Sequence, residues 1–163
     1  MHGKIMDSVM VFITTLGNSG LIWIAISLVL ILNKKYRNIG YMALLALLLS
    51  SFAGDLVLKN IVHRLRPSAN LSPAMLLIDK PLSYSFPSGH AMSSFAVAGV
   101  LAMQMKKYSV WFIGIATSIA FSRLYLYVHY PSDVLAGMLL GLLCSYATIL
   151  IFNKYLQRYS IKK

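Results

Sequence analysis

Three short segments, far apart in the chain, hold most of the side chains capable of chemistry: Lys59-x6-Arg66-Pro67, Pro87-Ser88-Gly89-His90 and Ser122-Arg123-x5-His129-x3-Asp133. Together they offer three cations, two imidazoles, two serine hydroxyls, a glycine amide and one carboxylate. That inventory suits a phosphate dianion. Lys59 and Arg66 supply charge-assisted hydrogen bonds, and the planar fork of Arg123 can grip two oxygens at once. Ser88 and Gly89 stand where a helix is expected to begin, so unpaired amides and a positive dipole end would face the anion. Glycine at that point permits close backbone approach. Phosphoryl transfer asks a protein mainly for positioning and for neutralisation of the equatorial oxygens. This set could supply both without magnesium or any other cofactor.

The remaining groups suit covalent catalysis. Asp133 follows His129 by four residues, so the two share a face if a helix begins nearby. A carboxylate at one imidazole nitrogen fixes the tautomer and leaves the other nitrogen free to attack phosphorus. His90 is then free to protonate the departing oxygen and later to activate water. Ser122 adjoins Arg123 as a supporting hydroxyl, and Asp55 precedes Lys59 by four residues, as a helix-surface partner that holds the lysine would. Taken singly, Lys59 or Arg66 reads as an interfacial anchor, and His129 beside Tyr127 and Tyr130 as part of an aromatic belt. Coincidence of all three segments favours chemistry. His63 and Arg64 suit contact with a headgroup or with water equally, and Asp79 and Lys80 read as solvated loop charges.

The elements that must position these groups are apolar helices. The chain of 163 residues is 58% hydrophobic and 12% charged. A soluble domain needs more polar surface than that, and several apolar runs approach the roughly 20 residues that cross about 30 Å of hydrocarbon. The expectation is an all-α, polytopic membrane bundle, one domain over residues 1–163, with about five transmembrane helices. An amphipathic interfacial helix over residues 4–16 would precede spans near 21–32, 39–58, 88–105, 109–121 and 131–152. The first of these is short enough that residues before Gly20 are candidates to extend it. The long proline-bearing loop 59–87 is of the kind that is usually functional or disordered. Cys144, the single cysteine, reads as packing, and Trp23 and Trp111 as packing or interface anchors.

Charge placement orders the topology. Lys34, Lys35, Arg37, Lys106, Lys107, Lys154, Arg158, Lys162 and Lys163 fall on one side with no acid among them, which assigns that side and the C-terminus to the cytoplasm. The opposite side receives the N-terminus, all five prolines and the three chemical segments. Although the net charge is +11, the cations cluster at the ends of apolar runs, and no basic stripe with interleaved aromatics suggests a nucleic-acid partner.

Over residues 50–150 the chain resembles the type 2 phosphatidic acid phosphatase superfamily, which shares its site with vanadium haloperoxidases. The three segments match its three motifs, in order and with the expected internal spacing. The resemblance implies a helical bundle of that core type, with His129 as nucleophile, Asp133 as its orienting partner and His90 as general acid and base. It also implies phosphate binding by Lys59, Arg66, Ser88, Gly89 and Arg123. The function so implied is metal-independent hydrolysis of a membrane lipid phosphate through a phosphohistidine, outside the cytoplasm, in a bacterial plasma membrane. Candidate substrates are phosphatidylglycerol phosphate, phosphatidic acid and undecaprenyl diphosphate. A lipid-to-lipid phosphotransferase would use the same site. A small anion transporter or channel is disfavoured, because the ionisable residues gather at one face instead of lining a path. Oligomeric state is unreadable where lipid-facing and partner-facing surfaces look alike.

Overall fold

A computed structural model describes residues 3–160, with side chains to residue 154. The helices are α1 Lys4–Gly17, α2 Leu21–Leu32, α3 Arg37–Ser51, the four-residue α4 Lys59–Val62, α5 Gly89–Gln104, α6 Ser109–Tyr125 and α7 Pro131–Ser160. Among the described residues no strand occurs. Arg158, Lys162 and Lys163 lie outside the residues whose side chains are described.

Three helical units are long and apolar enough to cross a membrane: Lys4–Leu32, Arg37–Val62 and Pro131–Lys154. The other two expected spans, α5 and α6, have 16 and 17 residues. They are shorter because their site-side ends are given over to polar chemistry. α5 begins at Gly89-His90, and α6 ends at Arg123–Tyr125 before the turn that carries His129. α5 is the centre of the bundle, with ten buried residues from Ala91 to Leu101, and it packs on α3, α6 and α7. Between lipid-soaked helices the hydrophobic effect gives little drive, so close packing of small residues must do the work. The α5–α7 contact is of that kind. A Cβ added at Gly137 would lie 2.7 Å from the Ser88 carbonyl oxygen.

The first span corrects the sequence-based boundary. α1 is amphipathic, but it does not stand apart as an interfacial helix. It packs on α6 and passes into α2 through a kink at Ser19 and Gly20, whose φ angles are 50° and 71°. Residues 4–32 thus form one bent helical unit. Trp23 on α2 is fully buried and donates Nε1–H to Ser94 Oγ on α5 at 2.9 Å, while Trp111 faces outward.

The second span likewise outruns its expected end at Leu58. Phe52–Leu58 winds as a π-helical stretch and α4 completes the last turn. A widened turn inserts extra residues and rotates everything after it about the helix axis. The residues carried in and just after that turn are Asp55 and Lys59. The loop from His63 to Ser88 then folds back over the helix ends.

Candidate active site

One cavity of about 400 Å³ lies at the ends of these helices, and its wall includes Lys59, Arg66, Gly89, His90, Arg123 and His129. Each arrives on a different piece of chain. Lys59 comes from α4, Arg66 from the long loop, and Gly89 and His90 from the first turn of α5. Arg123 comes from the end of α6, and His129 from the turn before α7. Asp55 is also part of the wall.

His129 sits at the centre of a connected polar network. Its Nε2 lies 2.9 Å from Arg66 Nη1, and a guanidinium only donates, so Nε2 is the unprotonated nitrogen. The proton therefore resides on Nδ1, which points toward Asp133 Oδ2 at 3.6 Å and Ser85 Oγ at 3.4 Å. At 3.6 Å the carboxylate acts on the ring through charge more than through a hydrogen bond. Asp133 itself is fully buried. It accepts from Ser85 Oγ at 2.5 Å, from the Tyr130 amide at 3.0 Å and from Arg64 Nη1 at 2.7 Å. Burial lowers the pKa of His129 to about 4, with Arg66 and Arg123 pushing the same way against the opposing pull of Asp133. The ring is neutral at physiological pH, with its Nε2 lone pair toward the cavity.

The two arginines differ. Arg66 is committed: Nε donates to the Ser83 carbonyl, Nη2 to Ser83 Oγ and the Tyr84 carbonyl, and Nη1 to the Val128 carbonyl as well as to His129. Burial lowers its pKa to about 10, partly offset by Asp133 and Asp55, so it stays charged at neutral pH. Arg123, only 4% exposed, has a single side-chain hydrogen bond among the described residues, from Nη1 to Thr14 Oγ1 at 2.6 Å. Its buried Nε has no partner there. An unsatisfied buried cation of this kind is costly unless an anion meets it. Lys59 donates to Asp55 Oδ1 at 2.6 Å and approaches Ser83 Oγ at 3.4 Å. A Cβ on Gly89 would lie 3.1 Å from Asp55 Oδ1 and 3.5 Å from Lys59 Nζ, so the bare glycine lets α5 start against that pair. Among the described residues no group of three His, Cys, Asp or Glu side chains is placed to hold a metal ion.

The arrangement is a cationic, partly enclosed pocket with a neutral imidazole lone pair inside it. The PAP2 superfamily profile matches residues 36–157. The chain belongs to the PAP2 superfamily. An undecaprenyl-diphosphatase of Sulfolobus acidocaldarius is 34% identical over 148 residues, which cover 90% of this chain and 70% of that protein. The crystal structure of a transmembrane PAP2-type phosphatidylglycerolphosphate phosphatase from Bacillus subtilis matches with a TM-score of 0.74 and 28% identity, over 94% of this chain and 80% of that one. The Aquifex aeolicus LpxE structure matches with a TM-score of 0.78 and 28% identity, over 91% and 87%. This PAP2 chain is accordingly an enzyme, a phosphoric ester hydrolase in a multi-pass helical membrane protein.

Two residues of the PAP2 motifs are not on the cavity wall. Ser88 is fully buried, its backbone amide donates to the Asp133 carbonyl at 3.0 Å, and its hydroxyl has no partner among the described residues. Ser122 is turned back into its own helix, donating to the Ile119 carbonyl at 2.6 Å. The Asp55–Lys59 pair forms as the four-residue spacing suggests. Arg64 meets neither a headgroup nor water alone: it bonds Asp133 and Ser132 and stacks on the Tyr130 ring at 4.1 Å. Lys80 is bound to the Ala69 carbonyl instead of being freely solvated. Ser83, Ser85, Thr14 and Asn18 are the site residues that sequence reasoning passes over. Isolated polar residues in loops and at kinks carry no spacing signal.

Proposed function

We propose that this PAP2 enzyme hydrolyses a phosphomonoester or diphosphate of a membrane lipid through a phosphohistidine on His129. The observation that carries the reading is the tautomer. With Nδ1–H directed at Asp133 and Ser85, the Nε2 lone pair is the one presented to the cavity.

In the proposed first step, Nε2 attacks phosphorus, a P–N bond forms and the bond to the leaving oxygen breaks. His90 delivers its proton to that oxygen. Arg123, with N–H groups to spare, binds the equatorial oxygens together with Lys59 and the first amides of α5 at Gly89. Every N–H of Arg66 is already in use, so Arg66 reaches the phosphate by giving up its contact with His129. That exchange frees the lone pair as the substrate arrives. Imidazolium character grows on His129 as the P–N bond forms, and buried Asp133 offsets it. In the second step His90 takes a proton from water, the water oxygen attacks phosphorus, and the P–N bond breaks to release inorganic phosphate.

The substrate class follows from the setting. A phosphate pocket at the ends of membrane helices meets a headgroup while the tail stays in lipid. The Sulfolobus relative is named for undecaprenyl diphosphate and the Bacillus structure for phosphatidylglycerolphosphate, so both join phosphatidic acid as candidates. The basic turns at Lys34–Arg37 and Lys106–Lys107 lie at the helix ends away from the site, which supports a cytoplasmic placement for them and an extracytoplasmic site. Phosphate release from each lipid in detergent, with EDTA present, tests the assignment. His129→Ala is expected to abolish turnover while leaving the protein folded in the membrane, and full activity in that variant would refute the mechanism.

A further inference from the structure

Two site residues are held by an element outside the matched family region 36–157. The imidazole Nε2 of His90 lies 2.9 Å from Asn18 Oδ1, where α1 ends. The Arg123 guanidinium has its one protein partner, Thr14 Oγ1, one helical turn earlier. Gly17, between them, is buried, and a Cβ there would lie 2.8 Å from His90 Cδ2 and 2.7 Å from Ile119 Cγ2. The C-terminal turn of α1 is thus seated against both groups. Thr14, Asn18, His90 and Arg123 also line a second cavity of about 550 Å³ beside the first.

We infer that the end of α1 is a positioning strut of the active site, with Asn18 orienting the His90 imidazole and Thr14 orienting the Arg123 guanidinium. A carbonyl oxygen only accepts, so Asn18 Oδ1 holds the proton on His90 Nε2. Without that partner the ring turns freely about its side-chain bonds, and the proton is delivered from a scattered set of positions. Thr14 matters differently. It fixes the fork of an arginine that otherwise has no protein anchor, so its loss spreads the orientations available for gripping phosphate. Neither residue touches the reacting atoms. The inference rests on the roles proposed above for His90 and Arg123.

The two functions separate kinetically, because kcat/KM reports only the steps through departure of the leaving group. An alkyl phosphate needs a proton on its leaving oxygen, whereas p-nitrophenyl phosphate leaves without one. Asn18→Ala is expected to lower kcat/KM for a short-chain alkyl phosphate about 10- to 100-fold, as expected for a displaced catalytic group, with p-nitrophenyl phosphate within about threefold of the parent. The near-isosteric Asn18→Leu should do the same, and unchanged vanadate inhibition would show the pocket intact. Thr14→Val is expected to weaken vanadate inhibition and to lower kcat/KM for both substrates alike, and Thr14→Ser to restore both.

Equal losses on the two substrates in both Asn18 variants, or no loss in either, would overturn the role of Asn18. Unchanged vanadate inhibition in Thr14→Val would overturn that of Thr14. His90→Ala is the reference. If it shows the leaving-group selectivity and the Asn18 variants do not, the strut is refuted and the His90 role stands. If His90→Ala itself lacks the selectivity, the acid assignment fails first.

Discussion

Removing the Ser85 hydroxyl probes the link between the buried carboxylate and the nucleophile. Ser85 is fully buried and donates to Asp133 Oδ2 at 2.5 Å, while the same oxygen lies 3.4 Å from His129 Nδ1. In Ser85→Ala, Asp133 Oδ2 keeps the Tyr130 amide at 3.0 Å, and Oδ1 keeps Arg64 at 2.7 Å. The carboxylate stays charged and placed but loses the bond that points it at the ring. A hydrogen bond to a charged group contributes about 1.5–3 kcal/mol. If that is felt mainly as imidazolium character grows on His129, kcat/KM falls about 10- to 100-fold, at roughly 1.4 kcal/mol per decade. The backbone bond from the Ser85 amide to the Arg64 carbonyl at 2.8 Å is untouched, so the loop should keep its course. The assay is phosphate release from a short-chain lipid phosphate in micelles, with thermal inactivation followed in parallel. Activity within about twofold of the parent, while Asp133→Asn loses far more, would show that Ser85 supports the loop alone and refute the reasoning.

Two further outcomes follow from the same geometry. His129 must be neutral to attack, and burial has lowered its pKa to about 4, so the active range extends downward. Once the ionisation of the substrate phosphate near about 6 is divided out, kcat/KM should stay level to about pH 5 and fall through about pH 4; a limb near the ordinary histidine value would contradict the burial argument. Ser122→Ala removes a hydroxyl that serves only the Ile119 carbonyl, so lipid phosphate turnover should stay within about twofold of the parent. A drop of ten times or more would place that hydroxyl in the chemistry after all.

Much of the catalytic set was legible in the sequence because its residues come as spaced motifs. His129 and Asp133 are four apart, and Asp55 and Lys59 pair at the same spacing. The helices were legible because their apolar runs are uninterrupted. The boundaries were not. A π-helical turn over Phe52–Leu58 leaves no mark on hydropathy, and Ser19 and Gly20 bend a helix without ending it. Hydropathy also overstates α5 and α6 as spans, since it registers apolar side chains and not where the polar ends are drawn inward. The supporting shell was the least legible. Ser85, Thr14 and Asn18 are common polar residues whose meaning comes only from what the fold sets beside them. Arg64 shows the same limit. It stands in an exposed loop by sequence, and its partner Asp133 is 69 residues away.

The pocket wall has a consequence for how this enzyme lives and fails. Its groups come from chain ends and turns spread between α1 and α7, and no stretch between two turns contains both a nucleophile and an anion grip. Competence is therefore collective. A nascent chain halted before α7 lacks His129 and Asp133, and one cleaved within the long loop must keep its pieces docked to stay active. Hydrolysis of even one lipid certifies that the whole bundle has assembled, which makes the reaction its own reporter of correct membrane insertion.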